Sequence, residues 1–110
     1  MERKMAEEIV EYNREKGEAN YLALATITAA HGSAPREAGT QMIVYPDKSI
    51  RGTVGGGPVE YQTIERASQL IATGENKKYS YEISNEKVAQ SGGICGGQVV
   101  IFIETIKING

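Results

Sequence analysis

Three successive glycines followed by a proline, in the stretch GTVGGGPVE at residues 52–60, constrain this chain more than any other feature. A glycine inside a helix or strand costs roughly 0.5–1 kcal/mol relative to alanine, because it loses more conformational freedom on folding. The run therefore predicts a turn between a strand and a helix, at a point where something approaches the backbone closely. The close neighbour is either a ligand or another part of the chain.

Two other segments concentrate glycine in a similar way. HGSAPREAG at residues 31–39 contains Gly32 and ends at Gly39, and SGGICGGQ at residues 91–98 places the single cysteine, Cys95, between two glycine pairs. The three segments together hold most of the 13 glycines of the chain. Loops that only reverse the chain direction rarely need so many glycines. We therefore expect the backbone of these loops to take part in the function of the protein.

The apolar pattern predicts two main helices and a sheet. One amphipathic helix is predicted over residues 2–16, and a second follows the glycines, with an apolar stripe of Ile64, Ala67 and Ile71 and a stop at Gly74. Strands are predicted at 21–30, at 40–54 as two strands around a turn at 46–48, at 78–83 and at 98–108. The segments at 21–30 and at the start of 98–108 are apolar on both faces, which is typical of central strands. This order predicts an α+β fold with a mixed or mostly antiparallel sheet, as a single domain over residues 1–110.

The start of the second helix is a candidate anion site. Gly57 is the predicted N-cap, with Pro58 at the first helical position and Glu60 at the third. Free N–H groups and the helix dipole favour an anion at the N-terminus of a helix, and phosphate is the expected ligand. Neither a Walker A loop nor G-x-G-x-x-G is present. Glu60 either caps the helix or accepts hydrogen bonds from the N–H edge of a bound pterin or purine ring.

The other two segments carry chemistry that the sequence leaves open. Arg36 is either a solvated surface group or a fork of donors for phosphate or carboxylate, and Ser33 adds a hydroxyl. Cys95 is either a small buried hydrophobe or an exposed thiol. An exposed thiol would ligate a soft metal, handle sulfur, or act as a nucleophile with His31 as its base.

Composition excludes several classes of function. The net charge of −2 gives no overall field toward nucleic acid. One cysteine and one histidine cannot supply a four-ligand structural zinc site or an intrachain disulfide, and this favours a reducing compartment. The charged N-terminus lacks the apolar core of a signal peptide, and no apolar run approaches the ~20 residues of a membrane span. We therefore predict a cytoplasmic protein without nucleic-acid or membrane partners.

The three segments in this order resemble the XdhC/CoxI family, the accessory factors of xanthine dehydrogenase and related molybdenum hydroxylases. The likeness is carried by GSAPREAG, GTVGGGPVE, and ICGG before a strand ending in FIE, and it runs from about Tyr21 to Glu104. It implies a maturation factor rather than a metabolic enzyme. Such a factor binds the molybdenum cofactor, a molybdopterin, as cargo, helps it acquire its terminal sulfur, and delivers it to an apo hydroxylase of the xanthine dehydrogenase type.

The resemblance also implies partners and a domain arrangement. A cysteine desulfurase and a separate Rossmann-domain protein are expected partners, because many family members continue into a Rossmann-like domain and residues 1–110 are expected to contain none. A homodimer is predicted as well, since a domain this small with few helices is expected to leave one sheet face uncovered.

The chemistry of the cargo suggests a role for each candidate residue. The cofactor carries a phosphate, a pterin edge and a dithiolene-bound metal. The predicted cofactor-binding residues are Ser33, Arg36, Gly55, Gly56, Gly57, Glu60, Gly96 and Gly97, with the glycine turn cradling phosphate and Glu60 contacting the pterin. Cys95 is the predicted metal contact. Two alternatives stay open: a hydrolase that uses Cys95 as nucleophile, and a noncatalytic assembly subunit that recruits a partner through one face of the sheet.

Overall fold

The computed structural model describes residues 3–16, 21–32, 34, 36–83 and 97–108. Within these residues the elements are α1 (Arg3–Lys16), β1 (Tyr21–Gly32), β2 (Gln41–Val44), β3 (Ile50–Gly52), α2 (Gly57–Thr73), β4 (Lys77–Ile83) and β5 (Gly97–Lys107). The strands form one sheet in the order β3-β2-β1-β5-β4, and every neighbouring pair is antiparallel. The predicted α+β class with two main helices and a mostly antiparallel sheet is confirmed.

The central strand β1 is buried on both sides, as its apolar pattern predicts. Ala23, Ala25 and Ile27 belong to one hydrophobic cluster, which α2 covers through Ala67 and Leu70. Leu22 and Leu24 belong to a second cluster on the opposite face, together with Met5 and Ile9 of α1 and with Ile43 and Ile108. Each helix therefore buries an apolar stripe against its own face of the same sheet.

The ends of α2 follow glycine conformation. Gly56, rather than Gly57, is the N-cap, with φ 76° and ψ −171°, a conformation that essentially only glycine adopts. Because the helix starts one residue earlier than predicted, Pro58 takes the second helical position and Glu60 the fourth. At the other end Gly74 has φ 76° and ψ 16°, and its N–H donates to the carbonyl oxygen of Leu70 at 2.7 Å. The predicted stop at Gly74 is confirmed.

In the part of the chain that the structure describes, neither helix has the length and apolarity that crossing a membrane requires.

Candidate functional site

The strand register places the start of the HGSAPREAG loop beside the end of the SGGICGGQ segment. β1 ends at Gly32, which is the Cα partner of Gly97 in β5. Gly97 also pairs with Ile83, the last residue of β4. Gly97 is buried and lies between β1 and β4. The start of the HGSAPREAG loop and the end of the third glycine segment therefore meet at one end of the sheet.

The other end of the HGSAPREAG loop returns to the middle of β1. The N–H of Gly39 donates to the carbonyl oxygen of Ile27 at 2.7 Å, and the N–H of Ile27 donates to the carbonyl oxygen of Thr40 at 2.9 Å. These bonds lie beside a register shift between Ile27 and Ala29 in the pairing of β1 with β5. The five residue steps of β1 from Ile27 to Gly32 span roughly 17 Å at the usual rise of an extended strand. The loop therefore bridges that distance along the sheet.

A cleft of about 650 Å³ is lined by residues of both the HGSAPREAG loop and the GTVGGGPVE segment. Gly39, the last residue of the HGSAPREAG loop, lines this cleft together with Thr40, which follows it, and with Gly52 and Thr53 of the GTVGGGPVE segment. The remaining lining residues are Met5, Thr26 and Gln41. The side-chain amide of Gln41 donates from Nε2 to Oγ1 of Thr26 at 3.1 Å, so part of this wall is polar and fixed. The cleft offers hydroxyl, amide and backbone groups at the foot of the glycine turn.

The glycine turn is folded around the carboxylate of Glu60. Oε1 of Glu60 accepts a hydrogen bond from the hydroxyl of Thr53, and it also accepts from the N–H groups of Val54 and Gly56, each at 3.2 Å. The N–H of Gly55 donates to Oγ1 of Thr53 at 3.0 Å. The N–H groups of residues 54, 55 and 56 are thus all used within the turn. In this arrangement Glu60 supplies the negative charge that the turn and the helix end would otherwise take from a ligand.

The glycines of this segment differ in their surroundings. A Cβ added to Gly52, at φ 87°, would lie 2.7 Å from the carbonyl oxygen of Gln41 and 2.8 Å from Cε of Met5. A Cβ on Gly56 (φ 76°) or Gly57 (φ 63°) would meet nothing within 4 Å, and the same holds at Gly39 (φ 95°). The neighbour that approaches Gly52 is the chain itself. The surface over Gly39, Gly56 and Gly57 has room for another molecule.

Some of the other predicted site residues lie within the described part of the chain and others lie outside it. Arg36 is exposed, and within the described residues it makes no ion pair. Ser33, Cys95 and Gly96 lie outside the described residues, so the predicted contact of Cys95 with a metal stays a prediction. His31 is exposed and pairs with Gln98 across the sheet.

Sequence reasoning missed the two threonines of the cleft that matter most. Thr53 ties the turn together, because its hydroxyl donates to Glu60 and accepts from Gly55. Thr40 lines the cleft and anchors the loop through its carbonyl oxygen. The position of Thr53 directly before the glycine run was the available signal, since a short hydroxyl side chain often bonds to the backbone two residues on.

Comparison with known proteins settles the family. The sequence model of the XdhC and CoxI family matches residues 16–82, which is more than half of the chain. This chain belongs to the XdhC and CoxI family. A relative in the same family, the uncharacterised protein YqeB of Escherichia coli (strain K12), is 36% identical over 82 residues. That alignment covers 74% of this chain and 15% of YqeB.

The fold is similar to part of a larger solved structure. A crystal structure described as a xanthine dehydrogenase from Bacillus halodurans matches with a TM-score of 0.67 at 19% identity, over 89% of this chain and 29% of that one. At this identity the likeness concerns the fold. The chain spans less than a third of the length of either protein.

Proposed function

We propose that this chain binds the molybdenum cofactor as cargo and assists its sulfuration and insertion into a molybdenum hydroxylase of the xanthine dehydrogenase type. Three findings support the proposal: membership of the XdhC and CoxI family, the fold it shares with a protein described as a xanthine dehydrogenase, and the arrangement of the glycine segments. The observation that carries it is the polar cleft lined by Gly39, Gly52 and Thr53, together with open glycine backbone at Gly39 in the cleft and at Gly56 and Gly57 in the adjoining turn.

In this proposal the cargo lies along the HGSAPREAG loop. Its phosphate contacts Arg36, an exposed cation on that loop whose planar fork suits a phosphate. Its pterin lies over Gly56 and Gly57, where a flat ring can approach the backbone because no Cβ intervenes. The metal end points toward Gly97, which Cys95 and Gly96 directly precede in sequence. Ser33 directly follows Gly32 in sequence and is the proposed hydroxyl contact.

Glu60 takes a different role from a direct ligand contact. Its carboxylate accepts hydrogen bonds from Thr53, Val54 and Gly56 and so fixes the shape of the turn before any cargo arrives. A surface whose shape is set in advance loses less conformational freedom on binding. Glu60 is then a positioning residue: it holds the backbone of Gly56 where a ring can stack on it.

A retention experiment tests the proposal. The chain is incubated anaerobically with molybdenum cofactor released from a molybdenum enzyme and is then desalted, and the co-eluting pterin and metal are measured by fluorescence and elemental analysis. We expect both to co-elute in about equimolar amounts. Arg36→Ala should retain several-fold less pterin, because a charge-assisted phosphate contact is lost.

The matched control is Arg3→Ala, which removes an arginine at the exposed surface of α1, where its partner is Glu7. It should retain as much pterin as the unmodified chain. Absence of pterin from the desalted protein, or equal losses in the two arginine variants, would contradict cargo binding on the HGSAPREAG loop. Cys95→Ser should keep the pterin and lose metal or sulfur, if the thiol contacts the metal end.

The partners follow from the same proposal. An apo hydroxylase of the xanthine dehydrogenase type would receive the cofactor, a cysteine desulfurase would supply the sulfur, and a Rossmann-domain protein would act beside this domain. Coelution of the cofactor-loaded chain with an apo hydroxylase, compared with the cofactor-free chain, tests the first of these.

A further inference from the structure

β4 is an edge strand with a self-complementary sequence. It lies at the end of the sheet order, and within the described residues only β5 pairs with it. Its seven residues, KKYSYEI, alternate between exposed positions and half-buried ones after the first lysine. Ser80 stands at the centre, with a lysine two residues before it and a glutamate two residues after it. An unpaired edge of this kind offers a row of N–H and C=O groups to a further strand.

The two faces of β4 carry different groups. On the face covered by α2, the guanidinium carbon of Arg66 lies 4.3 Å from the ring centre of Tyr79 and 5.0 Å from that of Tyr81. The two rings are 6.5 Å apart, centre to centre. On the other face Lys78, Ser80 and Glu82 are exposed. The edge therefore presents an ordered cation–aromatic row on one face and two opposite charges on the other.

We propose that β4 pairs antiparallel with β4 of a second copy of this chain, about a two-fold axis at Ser80. In this register Lys78 lies opposite Glu82 of the second copy, and the symmetry repeats the pair on the other side of the axis. Tyr79 lies opposite Tyr81 of the second copy, which extends the aromatic row beside Arg66. Opposite charges and aromatic rings are favourable as directly facing cross-strand pairs. The occupant of the edge is thus a second copy, which has the matching charges at the matching spacing.

The charges select this register over its neighbours. Directly opposite residues of an antiparallel pair share one face of the sheet. If α2 of both copies is to lie on the same side, an even-numbered residue of β4 must face an even-numbered one, so the allowed registers are shifted from one another by two residues. One such register places Lys78 opposite Lys78 and another places Glu82 opposite Glu82, and like charges directly opposite are destabilising. Only the register centred on Ser80 gives both Lys78 and Glu82 an opposite charge.

Sedimentation velocity of the 110-residue chain over a range of concentrations tests the pairing. We expect a reversible dimer that weakens as salt is added. Lys78→Glu alone and Glu82→Lys alone each turn both cross-strand charge pairs into like pairs, and should weaken the dimer by about tenfold or more. A mixture of the two variants should restore association as a heterodimer, because each chain then faces charges of the opposite sign.

Two controls separate the pairing from net charge and from folding. Lys77→Glu and Glu75→Lys change the net charge as the two test variants do, but in the proposed register neither side chain has a charged partner. Both should dimerise like the unmodified chain. Circular dichroism of every variant verifies the fold, and the restored association in the mixture would itself show that the two test variants fold.

Three results would overturn the proposal. The first is a chain that sediments as a monomer at every concentration, as expected if Lys77 and Lys78 serve only to guard an edge strand against pairing. The second is a dimer that neither test substitution weakens, and the third is a mixture of the two variants that fails to restore the dimer. Neither of the last two is compatible with Lys78 facing Glu82 of a second copy.

Discussion

The segment that leads into α2 has a closed half and an open half. In the closed half, Gly52 packs so tightly that a Cβ would lie 2.7 Å from the carbonyl oxygen of Gln41. In the open half, Gly56 and Gly57 face space in which a Cβ would meet nothing within 4 Å. All of these glycines have positive φ, so backbone conformation requires glycine in both halves. Packing requires it only at Gly52.

The comparison separates two reasons for a glycine-rich segment. Gly52 lets β3 and β2 approach each other, with Met5 of α1 packed over the contact, and this serves folding. Gly56 and Gly57 leave a backbone surface on which an added Cβ would contact no other atom. Glu60 fixes the shape of this surface by accepting a hydrogen bond from the N–H of Gly56. We therefore expect a ligand to stack on bare backbone in the second half, whereas Gly52 lines the cleft with a backbone that already packs against the chain.

The largest effect is expected at Gly52. Gly52→Ala combines a positive φ with an overlap against backbone, and should lower the free energy of unfolding by about 2–6 kcal/mol. Urea unfolding followed by circular dichroism measures the loss. Adding Met5→Ala removes the flexible neighbour and leaves the backbone overlap, so the double variant should be no more stable than the single one. A fully recovered double variant would mean that Met5, and not the backbone of β2, closes this half.

Gly56→Ala should have a smaller effect on stability and a larger one on binding. The cost is confined to a backbone conformation that alanine rarely adopts, about 1–3 kcal/mol, because the added Cβ meets no atom. If the pterin lies over Gly56, retention of the cofactor should fall several-fold under conditions where the variant is still folded. Full retention by the folded variant would remove the distinction between the two halves.

Glu60→Gln should give the smallest change in stability. The amide oxygen can accept the same hydrogen bonds from Thr53, Val54 and Gly56, and only the added strength of a charged acceptor is lost, about 1 kcal/mol. Because we assign Glu60 to the turn, cofactor retention should fall only slightly, measured as in the retention experiment. A complete loss of retention at nearly unchanged stability would instead mean that Glu60 contacts the pterin directly.

Much of the fold could be predicted from local pattern. The two-sided apolar runs of β1 and β5 indicated interior strands, and Gly74 indicated the end of α2, because both signals depend on residues close in sequence. The start of α2 was predicted one residue late, since Gly56 takes a conformation that no periodicity encodes. The candidate cleft needed the register of β2 against β1, which brings Gln41 opposite Thr26.

The role of Glu60 could be predicted only in kind. The sequence indicated a capping glutamate, but its carboxylate reaches back to Thr53 across the whole turn, and that contact depends on the positive φ values of three glycines. The self-complementary pattern of β4 was equally readable in the sequence. Its meaning depended on the strand being at an edge, which is a property of the sheet order and not of the strand.

Amide mapping by nuclear magnetic resonance tests the central claim most directly. Spectra of the 15N-labelled chain are recorded while released molybdenum cofactor is added anaerobically. We expect the amide signals of Gly39, Gly56 and Gly57 to move together with that of Arg36, whereas those of the Asp47–Ser49 turn at the far end of β2 stay fixed. Signals that move only at residues remote from Arg36, Gly39, Gly56 and Gly57, or no movement at a cofactor excess, would contradict a cargo site at the open glycines.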